Sequence, residues 1–138
     1  MKIAINEALK TNTDIPAGAV IVKDGEVIAK AHNKKEELND VSAHAEILAI
    51  KEAAQKLGNW RLSGTKMYVT LEPCPMCAAA IVNSRIEEVY FGAFDNLYGA
   101  FGSTINMAGI FGSKIKIKGG IMEKECKALL DNFFEAKR

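Results

Sequence analysis

The chain has 138 residues, 49% of them apolar and 25% charged, with a formal net charge of +1. That is the length of one domain with the balance of an ordinary globule, and enough chain for a full core without staples. The near-neutral charge excludes a global basic field, and no run reaches the roughly 18 apolar residues of a membrane span.

Residues 2–10 read as a short helix with Ile3, Ala4, Ala8 and Leu9 on one side. Ala17 to Val22 is a nearly continuous apolar strand. Lys23-Asp24-Gly25-Glu26 supplies a hairpin turn, since Asp-Gly tolerates positive φ, and Val27 to Ala31 returns. Asp40 and Ser42 offer N-caps for a helix over 43–57, with an apolar stripe of Ile47, Ile50, Ala54 and Leu57 and a stop at Gly58. Met67 to Leu71 is a strand. Met76 to Val82 is an almost wholly apolar helix, expected to be deeply buried. Val89 to Phe94 is a further apolar strand, 95–112 resists assignment, Lys114 to Lys118 alternates as a strand, and a helix spans about 122–136. No repeat or linker divides residues 1–138, so one domain is expected. Strands alternating with helices predict an α/β protein whose central sheet is covered on both faces.

Residues 1–20 contain Asn6, Glu7, Asn12 and Asp14 and so lack a signal-peptide core. A cytoplasmic protein is expected, and its three cysteines are too few for a disulfide framework. Cys74-Pro75-Met76-Cys77 follows a strand and opens a helix, which places both sulfurs on one side. The helix N-terminus lowers the cost of thiolates there. A third ligand is needed, and His44 sits at the start of the other well-formed helix. A two-cysteine, one-histidine set leaves one tetrahedral position open, as catalytic zinc sites do. Glu46, two residues from His44, can move a proton for a water activated there. The H-x-E…P-C-x-x-C arrangement is a known signature of zinc nucleobase deaminases, in which water replaces an amine on the base and ammonia leaves. Taken singly, each feature has a plainer reading. C-x-x-C also occurs as a redox dithiol, a lone histidine is often structural, and a helical glutamate is usually solvated. Cys126 reads as a core thiol and His32 as a strand-end residue.

The sequence resembles the bacterial tRNA-specific adenosine deaminases of the TadA type, within the cytidine deaminase-like superfamily. The resemblance runs through Pro16-Ala17-Gly18-Ala19-Val20, His44-Ala45-Glu46-Ile47 and Tyr68-Val69-Thr70-Leu71-Glu72-Pro73-Cys74-Pro75-Met76-Cys77. It continues at Ser84-Arg85-Ile86, Gly92-Ala93-Phe94-Asp95, Gly99-Ala100-Phe101-Gly102-Ser103 and Phe133-Phe134. It implies a three-layer α/β/α fold around a mixed five-stranded sheet. It further implies one zinc ion per chain, a homodimer, and a substrate: the wobble adenosine of a tRNA anticodon stem-loop, converted to inosine. Carried over by position, Asn33 and the backbone of Ala45 would bind the base, Asp95 would lie near the nucleotide backbone, and Phe133 and Phe134 near the loop-binding surface. The segment Thr104 to Ser113 departs from the pattern: it is shorter and has Ile110-Phe111-Gly112-Ser113 where an Asn-His pair is expected. A free base or nucleoside (guanine, cytosine or cytidine) is the alternative substrate. Lys114, Lys116 and Lys118, and Lys34 and Lys35, are candidate phosphate contacts or simply solvated lysines.

Overall fold

The computed structural model describes all of residues 1–138. In chain order the elements are α1 (Lys2–Ala8), β1 (Gly18–Lys23), β2 (Glu26–His32), α2 (Lys35–Leu38), α3 (Ala45–Leu57) and β3 (Thr65–Leu71), then α4 (Pro75–Asn83), β4 (Glu88–Ala93), α5 (Met107–Ile110), β5 (Lys116–Lys118) and α6 (Glu123–Ala136). The strands form one sheet in the order β2-β1-β3-β4-β5. β1 pairs antiparallel with β2 and β3, while β3–β4 and β4–β5 are parallel. Helices α3 and α4 pack against each other, as do α1 and α6, and the sheet lies between the two pairs. The expected three-layer α/β/α fold with a mixed five-stranded sheet is therefore present.

The hairpin forms where Asp-Gly predicts it. Asp24 and Gly25 have φ of 51° and 75°, the doubly positive turn whose twist matches that of the strands. Gly58, at φ 65°, ends α3 in the left-handed conformation.

Five local expectations need correction. The inner face of α1 is Ala4, Glu7 and Ala8, whereas Ile3 and Leu9 are exposed. The reason is close approach: a Cβ on Gly18 would stand 2.0 Å from the Ala4 carbonyl oxygen and 2.7 Å from the Ala8 nitrogen, so only small side chains fit beneath the helix. Glu7 is buried there with Lys10 Nζ at 2.6 Å and His32 Nδ1 at 3.5 Å. Asp40 and Ser42 do not cap α3. The Asp40 carboxylate accepts from the Ser42 N–H and hydroxyl instead, and α3 begins after His44. Its fully buried positions are Ala45, Glu46, Ala49 and Ala53; Ile50, Ala54 and Leu57 pack at the flank. In α4, Cys77, Ala78, Ile81 and Val82 are buried but Met76 is exposed. Finally, β5 holds only residues 116–118. Lys116 there meets Glu88 at 3.7 Å, as does Lys66 at 3.5 Å, a solvated ion-pair cluster.

The contact at Gly18 yields a test. Gly18→Ala forces α1 off the sheet, and overpacking of this kind costs on the order of 1–3 kcal/mol. Urea unfolding should show that loss, and hydrogen exchange should place the loosening in residues 2–8.

Candidate metal centre and its cavity

Helices α3 and α4 each start with a residue able to ligate a metal at the cap position. His44 is the N-cap of α3 and Cys74 that of α4, both extended, and neither helix start is capped by a side chain. Pro75 occupies the first turn of α4, where its fixed φ favours the helix and no N–H is missed. Cys77 stands three residues beyond the cap, the position that faces a cap residue across the first turn. His44 Nδ1 lies 3.8 Å from Cys74 Sγ and 3.5 Å from Cys77 Sγ. One donor atom from each of the three residues falls within 4.8 Å of the others. Tetrahedral zinc with standard bond lengths holds neighbouring N and S donors about 3.6 Å apart, so the cluster fits such an ion.

Charge is arranged to match. The Cys74 thiol is brought down to about 4 by the hydrogen bond from Cys77 and the contact with His44. That thiolate in turn raises the His44 pKa. Cys77 is pushed upward by its bond to Cys74 and by burial. Glu46 is 5% exposed, and burial raises its carboxyl to about 7. That range suits a group that must both take and give a proton near neutrality.

The cluster opens into a cavity of about 540 Å³ lined by residues including Asn33, Lys35, Glu46, Asp95, Tyr98 and Phe133. Asn33 bridges two segments: its Oδ1 accepts from the Ala45 N–H at 2.8 Å and its Nδ2 donates to the Ile15 carbonyl at 2.8 Å. The Ala45 N–H is thus taken up by Asn33 itself. Asp95 Oδ1 accepts from the Leu97 and Tyr98 N–H groups, each at 3.0 Å. Phe133 lines the cavity, and Phe134 packs edge-on against it at 5.3 Å but is not part of the lining. The altered segment contributes nothing to this lining; Phe111 to Ser113, with Lys114, border a separate groove of about 690 Å³. Lys35 lines the cavity, and Lys34 approaches Glu37 at 4.0 Å. Cys126 is 1% exposed, and burial lifts its thiol to about 11, as expected of a core thiol.

Sequence reading passed over Glu72, which organises the cavity wall. This carboxylate is 2% exposed. It accepts from the Asp95, Phe101 and Ser103 N–H groups, each at 3.1 Å, and from the Ser103 hydroxyl. A Cβ on Gly99 would come within 2.4 Å of its Cδ, so loop 95–103 wraps tightly round it. The available signal was a charged residue set between a strand end and a proline. Helix α2 was missed because four residues carry no periodicity.

Comparison with known proteins bears directly on this site. Residues 2–138 match the MafB19-like deaminase family. The chain belongs to that family. It is 48% identical to the tRNA-specific adenosine deaminase of Bacillus subtilis (strain 168), over all of this chain and 88% of that one. The identity with the tRNA-specific adenosine deaminase of Aquifex aeolicus (strain VF5) is 45%, over all of this chain and 93% of the relative. A solved structure from studies of A-to-I editing by tRNA:A34 deaminases superimposes with a TM-score of 0.89 at 43% identity, covering 94% of this chain and 97% of that one. No helix here is long and apolar enough to cross a membrane.

The Glu72 clasp yields a further prediction. Glu72→Gln keeps one acceptor oxygen and replaces the other with a donor. Bonds to a charged acceptor are worth roughly 1.5–3 kcal/mol each, so a loss on the order of 2–4 kcal/mol is expected in urea unfolding. Hydrogen exchange should quicken across 95–103 more than elsewhere.

Proposed function

We propose that this deaminase converts wobble adenosine to inosine in a tRNA anticodon loop, using one zinc ion held by His44, Cys74 and Cys77. The observation that carries the reading is the His–Cys–Cys cluster beside a buried Glu46, open to a cavity with ample room for a nucleobase, in a chain similar to tRNA-specific adenosine deaminases along its whole length. Bound zinc would supply a Lewis acid that makes water a nucleophile near neutral pH. The chain's own residues do the rest. Glu46, with its raised pKa, receives a proton from the attacking water and delivers it toward the departing amine, so adenosine and water become inosine and ammonia. Asn33, fixed through Ile15 and Ala45, presents its remaining N–H to the base. An anticodon base is already in a loop, so drawing it into such a cavity costs less than flipping from a duplex.

Two features accompany this reading. The exposed side of α4, with Met76, and exposed Ile110 and Phe111 favour a homodimer, which light scattering would report. A tRNA substrate favours the cytoplasm.

Cys74→Ala should lose the metal, with one zinc per chain in the native protein and far less in the variant by metal analysis; full retention would refute the ligand set. Glu46→Ala should keep zinc and lose turnover by roughly 10²–10⁴-fold or more. The deciding assay compares kcat/KM for a wobble-adenosine stem-loop with that for free adenine, guanine, cytosine and cytidine. The stem-loop should be strongly preferred. Efficient turnover of a free base with the stem-loop inert would transfer the reading to small-molecule deamination.

A further inference from the structure

The cavity mouth carries an aromatic side chain that nothing so far explains. Tyr98 lines the cavity yet is 65% exposed, and its ring stacks on no other aromatic of the chain. Beside it Leu97 is 77% exposed. Such side chains in a disordered loop would call for little comment, but this loop is fixed. The Tyr98 N–H donates to Asp95 Oδ1 at 3.0 Å, the Gly99 N–H donates to the Asp95 carbonyl at 2.9 Å, and Glu72 holds Asp95, Phe101 and Ser103 from beneath. The fold thus spends hydrogen bonds to hold an unused planar ring at the entrance to the site.

The charges around the cavity say what kind of contact is wanted. Asp14, Glu36, Glu46, Glu72 and Asp95 line it, against Lys35 as the one lysine. Phosphates are poorly served by such a wall, and the whole chain carries only +1. Affinity for a nucleic acid at the mouth must come from something other than backbone charge. Stacking on an aromatic face is the usual alternative, because every base offers a π-face. A tyrosine suits this use, having few rotamers to lose, and a ring already in place keeps the ordering cost low.

We propose that Tyr98 is a substrate-binding residue that stacks on the nucleobase adjacent to the one being deaminated. The inference rests on the RNA-loop reading above. It adds a specificity element: the site takes one base into the cavity and holds its neighbour flat against Tyr98.

The test uses the full-length, zinc-loaded chain in a Glu46→Ala background, which stops turnover during binding. An anticodon stem-loop carries 2-aminopurine at either nucleotide flanking the target, and its fluorescence reports stacking. With Tyr98 present, one of the two positions should be quenched on binding. Tyr98→Ala and Tyr98→Leu should abolish that quenching and weaken binding roughly tenfold, while Tyr98→Phe retains both. In the chain with Glu46 intact, Tyr98→Ala should raise KM for the stem-loop more than it lowers kcat. Metal content and circular dichroism check that the variants are folded. Native-like affinity and quenching in Tyr98→Ala, with the stem-loop still a substrate of the unaltered chain, would overturn the stacking role alone. A fall in Tyr98→Phe equal to that in Tyr98→Ala would also overturn it, by pointing to the hydroxyl. A stem-loop that neither binds nor reacts, with a free base turned over, would overturn the RNA reading and this inference with it.

Discussion

The site depends on two helices beginning side by side with donor residues in place of caps. A helix start exposes N–H groups and partial positive charge. Here that field falls on a histidine and two cysteines clustered within 4.8 Å. The hydrogen bond from Cys77 and the contact with His44 favour the Cys74 thiolate, and Cys74 in turn raises the His44 pKa. A metal ion entering this cluster exchanges for protons, so its binding is tied to pH. Everything else about the site follows from keeping those two starts in register: β3 delivers Cys74, and Asn33 ties the start of α3 to the chain entering β1.

Much of this was legible in the sequence because it is local. The Asp24-Gly25 turn, the glycine that ends α3, the Pro75 start of α4 and the Cys-x-x-Cys spacing are each decided by neighbours within four residues. The His44–Cys74–Cys77 cluster was legible for a different reason: with two histidines in the chain, and one of them at a helix start, little choice remained for a histidine to join the cysteines. The family resemblance then brought residues distant in sequence, such as Asn33 and Asp95, to the same cavity, and the structure places both in its lining.

What escaped was decided by contacts between elements. The inward face of α1 is chosen by the backbone of Gly18, which no helical periodicity can report. Apolar periodicity favoured Ile47 on α3, but alanines are buried there, because this helix lies close to the sheet and large side chains fit only at its flanks. Glu72 looked like part of a motif, and its role appears only when loop 95–103 closes over it. The segment 104–113 departs from the family pattern, and a departure of that kind puts one rim of the site in question. It borders the separate groove instead, so its divergence leaves the lining of the cavity untouched.

His44 and Cys74 are separated by 30 residues, and between them lies β3, whose neighbours are β1 on one side and β4 on the other. The β1–β2 hairpin can close early, since its turn is short. The metal cluster needs β3 paired with β1 and α4 packed on α3, and the entropy of closing such long loops must be met before their contacts repay it. Competence to hold the ion is therefore a property of the closed sheet and its packed helices, and of neither helix start alone. A chain with the same hairpin and helices but without that packing would carry its cysteines and no site, so secondary structure alone does not confer the chemistry.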